Sequence, residues 1–113
     1  MNDRELLEMS AKACGIEIAT WSNCQAGGFQ TQEGARGKFW NPLDDDGDAM
    51  RIAVKLHMSV YMFVGGCEVG YDDMNGGQGY LTQDDGQSGD MSDYEVVRRA
   101  IVRASAEMGR SMK

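Results

Sequence analysis

The residues most suggestive of chemistry are the carboxylates of Asp44-Asp45-Asp46-Gly47-Asp48, a string that resembles the start of a calcium-binding loop. Its spacing does not hold that reading. With Gly47 at the loop's invariant glycine, the first and last ligand positions fall on Pro42 and Ala53. With Asp44 first, Ala49 replaces the glycine and Lys55 the bidentate glutamate. The same residues fit a helix start: Asp44 as N-cap, with Asp45, Asp46 and Asp48 against the positive end of the dipole. Ala49, Ile52, Ala53 and Leu56 follow at i, i+3, i+4, i+7 as one apolar stripe, with Arg51 and Lys55 opposite as solvated charges.

Other motifs fail at defining positions. Gly34-Ala35-Arg36-Gly37-Lys38 looks like a phosphate cradle, but a Walker loop needs glycine at Gln32 and a hydroxyl at Phe39. Gly76-Gly77-Gln78-Gly79-Tyr80 begins like a calcium-binding nonapeptide, yet Leu81 stands where aspartate is due and the motif occurs once. His57 is the only histidine, and Cys14, Cys24 and Cys67 include no Cys-x-x-Cys pair. No zinc set follows from these residues, and no nucleophile sits beside a base in a recognisable motif. The reading assigns no catalytic residue, metal or cofactor. The candidate binding residues are Arg99, Arg103 and Arg110, a basic sector of the last helix, and Arg36, Lys38, Phe39 and Trp40 at the end of a glycine-rich loop. Arg and Trp are the types that dominate interfaces, and long loops are where binding residues concentrate.

These residues must be carried by a single domain spanning 1–113. A net charge of −7 argues against a grip on nucleic-acid phosphates or an anionic membrane, and is compatible with solubility, a basic protein partner or mimicry of a nucleic acid's charge. No apolar run approaches the roughly 20 residues that span a bilayer, and no signal-peptide core follows Met1. Three unpaired cysteines point to a reducing cytoplasm.

Along the chain, Asn2 or Asp3 caps a first helix that ends at Gly15; Leu6, Leu7, Met9, Ala13 and Cys14 form its apolar face, and Glu8 pairs with Lys12. Ile16 to Trp21 alternates as a strand with Trp21 in the core, and Ser22 to Lys38 is a long loop. Ser59 to Val64 is the clearest strand, apolar on both sides and therefore expected to be covered on both. Gly65-Gly66 turns it into Cys67 to Tyr71, and a short strand at Tyr80 to Thr82 is optional. Ser92, Glu95, Met91 and Val96 supply a capping box and staple for the last helix, whose core positions are Val97, Ala100, Ile101, Ala104 and Met108.

The order α-β-α-β-β-(β)-α gives an α+β fold: a small mixed sheet of three or four strands sandwiched by three helices. The helix between the first two long strands reads as a right-handed crossover joining parallel neighbours.

Three segments carry a family resemblance: Glu5 to Gly15, Trp40 to Leu56 (W-N-P-L-x-D-D-G-D-A-x-R-x-A-V-K-L) and Arg98 to Arg110, about a third of the chain. Together they resemble the phage ABA-sandwich-domain family, small accessory proteins of tailed phages and prophages akin to the NinX-like group. The resemblance implies helices on both faces of the sheet and no defined activity. The expected function is a non-catalytic protein-binding module acting on a host or phage protein, a host defence factor among the candidates, with homo-oligomerisation open. The alternative is a small-ligand or nucleotide binder, or a weak enzyme, using the glycine-rich loops.

Overall fold

The structure, a computed structural model, describes residues 2–16, 18–22, 28–31, 39–72, 77–85 and 91–112. Three helices and six strands follow in the order α1 (Asp3–Cys14), β1 (Ile18–Ser22), β2 (Gly28–Thr31), β3 (Phe39–Trp40), α2 (Asp46–Lys55), β4 (Ser59–Phe63), β5 (Gly66–Asp72), β6 (Gln78–Asp84) and α3 (Asp93–Arg110). The α+β class holds, with three differences in its assembly.

First, α3 is the central element. Val96, Ala100, Ile101, Val102, Ala104, Ser105, Ala106, Met108 and Gly109 are all buried, more of its circumference than one apolar stripe provides. The small residues make this possible: α1 lies along one side of α3, β5 and β6 along another, and α2 packs on a third. On α1 the buried set is Leu6, Leu7, Ser10, Ala11 and Cys14, so the face includes Ser10 and Ala11, while Met9 and Ala13 sit at its margin.

Second, the predicted crossover does not form. β1 and β4 belong to separate three-stranded sheets, β1-β2-β3 and β4-β5-β6, and every pairing is antiparallel. Part of the predicted Ser22 to Lys38 loop is strand β2, and Phe39 and Trp40 form β3. Short antiparallel links close less chain than a crossover does, which favours these local pairings. Glycine and glutamine around Phe29 hide the strand signal. The side chain of Trp21 lies outside the described residues.

Third, β4-β5-β6 is covered on one face only. Cys67 and Val69 are fully buried toward α3, with Val60, Tyr71 and Leu81 partly buried around them. On the other face Tyr61, Phe63 and Tyr80 are each more than half exposed. Three aromatic rings lie across directly paired glycines: Phe63 over Gly66, Tyr80 over Gly70 and Tyr71 over Gly79. The rings fill the space of the missing side chains, a cross-strand arrangement that offsets glycine's cost in a strand. β6 is thereby a full seven-residue strand where the sequence predicted three.

The acidic string does cap α2, one residue later than predicted. Asp45 is the N-cap, accepting from the Asp48 amide at 2.7 Å, and Asp44 lies in the preceding turn. Asp48 is itself buried: Oδ2 accepts from the Asn41 amide at 3.0 Å and Oδ1 from Arg51 at 2.9 Å. Asn41 accepts the amides of Asp44 and Asp45 on its carbonyl and that of Leu43 on its side chain. Arg98 then fixes this corner to α3, donating to the Leu43 carbonyl at 2.9 Å and Asp46 at 2.6 Å.

Candidate binding surface

The basic sector predicted on α3 is engaged within the chain. Arg99 reaches across to Asp3 of α1 at 3.1 Å, Arg103 donates to Gln83 of β6 at 2.6 Å, and Arg110 lies 3.6 Å from Glu107 on its own helix. Two of the three therefore join elements of the fold. Trp40 is 4 % exposed and belongs to the core. Phe39 pairs with Gln30 through the backbone, its side chain lying outside the described residues, as do Arg36 and Lys38 altogether. None of Arg99, Arg103, Arg110 and Trp40 lines the cavities described below.

A different surface stands out. Met50 and Val54 of α2, Tyr61, Met62 and Phe63 of β4, Val64 of the following turn and Tyr94 of α3 are each more than half exposed, Met62 at 72 % and Val64 completely. Two troughs link most of them. One, of about 300 Å³, lies between α2 and α3, with Ala49, Met50, Tyr94, Val97 and Met62 along it and Asp46, Asp93 and Arg98 at its edge. The other, of about 370 Å³, runs from Met62 along Phe63 and Val64 to Asp93, Val96 and Val97. Met62, Asp93 and Val97 line both, so the two form one continuous apolar face.

The local causes are readable. α2 buries Ala49, Ile52 and Ala53, which leaves Met50 and Val54, four apart, as a second apolar stripe turned outward. β4 is an edge strand: among the described residues β5 pairs one side of it and no strand pairs the other. Large contiguous apolar patches rimmed by polar residues are a feature of interaction surfaces. The signal was present in the sequence as the two-sided apolar pattern of Ser59 to Val64; its meaning was an open face rather than a doubly covered one.

Burial pushes the Cys14 thiol up to about 11 from 9.0, with Lys55 partly opposing, and burial also raises Cys67. Burial of this kind disfavours the reactive thiolate. His57 holds φ 53° in the C′ position of α2, its amide bonding the Val54 carbonyl while the Met58 amide bonds Ala53. A shallow depression of about 100 Å³ beside it, on the outer face of the sheet, is lined by Ser59, Tyr61, Asp72 and Tyr80 among others. No helix among the described residues is long and apolar enough to cross a membrane. No protein-family model, curated protein or solved structure matches the chain.

Proposed function

We propose that this chain is a small non-catalytic protein-binding module and that its contact surface is the apolar face built by α2, β4 and the start of α3. The observation that carries the reading is the continuous exposure of Met50, Met62, Phe63, Val64 and Tyr94 around two joined troughs. Large flexible and aromatic side chains of this kind supply the buried centre of interfaces. The resemblance of Trp40 to Leu56 and the two terminal helices to phage accessory proteins supports a phage or prophage origin, with a host or phage protein as target and the bacterial cytoplasm as setting. The nucleotide-binding alternative relied on Arg36 and Lys38, which lie outside the described residues, and nothing in the described ones favours it.

The test is site-specific photo-crosslinking in a bacterial host lysate, with the reactive side chain at Met62 or, as control, at the exposed Glu107. Protein adducts are expected from position 62 and not from 107. Absence of any protein adduct at 62, or a nucleotide retained in equimolar amount on the purified chain, overturns the reading.

A further inference from the structure

We infer that the occupant of this face is a second copy of the chain, joined by antiparallel pairing of β4 with its own counterpart into a six-stranded sheet. The inference rests on the reading of the apolar face as a protein contact and names the partner.

The two edges of the sheet differ in kind. β6 carries the charged Asp84, a residue type with which edges are protected from pairing. β4 reads Ser59-Val60-Tyr61-Met62-Phe63, without a charge or a proline. An edge of that composition is a template for strand addition.

The geometry of β4 suits pairing with itself. Phe63 and Gly66 flank the two-residue connection Val64-Gly65, so they close the hairpin as a hydrogen-bonded pair. The alternation that follows directs the backbone groups of Ser59 and Tyr61 at β5 and those of Val60 and Met62 at the open edge. With a twofold axis at Tyr61, Val60 lies across from the second copy's Met62, and both present outward backbone groups to each other. Tyr61 meets its own counterpart as a close, non-hydrogen-bonded pair on the outer face. On the inner face, Val60 and Met62 of each copy enter the space beside the other's Met62, toward the trough that Met50 also lines. The contact is isologous and uses up the edge, so it stops at two copies and does not propagate.

Area and charge agree. The seven side chains more than half exposed on α2, β4, its turn and the start of α3 are the apolar surface from which a standard interface of ~800 Å² per partner can be drawn. The seam itself is uncharged, and repulsion between bodies of net charge −7 is screened over about 8 Å at physiological salt. At its ends the antiparallel arrangement brings the acidic turn end, where Asp84 pairs with Gly66 and the Asp85 amide bonds Gly65, beside the other copy's approach to β4, which carries Lys55 and His57.

Sedimentation of the purified chain is the test. The wild type is expected at twice 12.4 kDa at micromolar concentration. Tyr61→Lys places two like charges at the axis on a side chain already open to solvent in one copy, and is expected to raise the dissociation constant at least 100-fold; Tyr61→Glu does the same. An equimolar mixture of the two variants restores the dimer, which only pairing at a twofold axis predicts. Met50→Lys, on α2, weakens the dimer without touching the sheet, and Tyr80→Lys, on the far strand, leaves it unchanged. A wild type that stays at 12.4 kDa, a dimer that survives Tyr61→Lys, or a mixture that stays monomeric overturns the inference. A monomer whose Met62 crosslinks to a different protein defeats only the dimer; a monomer with no protein adduct defeats the binding reading as well.

Discussion

Ser10 of α1 and Ser105 of α3 meet through their hydroxyls at 2.5 Å, both without solvent exposure, where the two helices pack. Ser105 donates its own proton to the Val102 carbonyl at 2.9 Å, so Ser10 is the donor between them. Ser105→Ala strands the Ser10 hydroxyl in the core and is expected to cost about 1–3 kcal/mol; Ser10→Ala removes one bond for about 1 kcal/mol. The double variant should cost less than the two together, since no orphaned donor remains. Urea melts of the three variants measure this, and strict additivity counts against the pairing.

One turn further along, α3 approaches α1 so closely that a Cβ on Gly109 would fall on the Met9 carbonyl oxygen. Helix propensity alone makes Gly→Ala favourable by about 1 kcal/mol. The backbone contact reverses the sign: Gly109→Ala is expected to destabilise by about 1–3 kcal/mol as the helices are pushed apart. A raised melting temperature contradicts the packing.

α1 and α2 end in the same hydrogen-bonded motif, with Gly15 in the left-handed position of one and His57 in that of the other. Histidine bears a steric cost there of about 1–2 kcal/mol that glycine avoids. His57→Gly is therefore expected to raise stability by about 1 kcal/mol, net of glycine's greater freedom when unfolded. Calorimetry decides it.

Capping separates two neighbouring aspartates. Asp45→Ala removes the acceptor for the Asp48 amide and should cost about 1 kcal/mol, whereas Asp44→Ala should fall within about 0.5 kcal/mol of wild type. The reverse ranking returns the cap to Asp44.

The buried thiols give stability a pH dependence of definite sign. Cys14 titrates near 11 when folded and near 9.0 when exposed, so the unfolded chain releases its proton first. Stability from this group is whole below pH 9 and falls as pH rises toward 11, by on the order of 2 kcal/mol. Cys67 acts in the same direction. Denaturant melts across that window should show a shallower loss for Cys14→Ala; equal slopes remove Cys14 as the cause.

What local chemistry dictates was legible along the chain. The capping serine at Ser92, the stripe Ala49, Ile52, Ala53 on α2, the hairpin turn at Gly65 and the α+β class are short-range facts, fixed by side chains a few residues apart. Tertiary structure alone decided the rest, because it depends on residues far apart in the chain. Which strands pair depended on the closure cost of competing loops, so β1 took β2 while β4, among the described residues, kept one edge open. Whether an arginine is free depended on what faces it: Asp3 lies 96 positions from Arg99, and Gln83 lies 20 from Arg103. The same held for Ser59 to Val64, where apolar residues on both sides read alike whether a helix or nothing covers them. Pattern records a side chain's polarity, and only the fold assigns its neighbour.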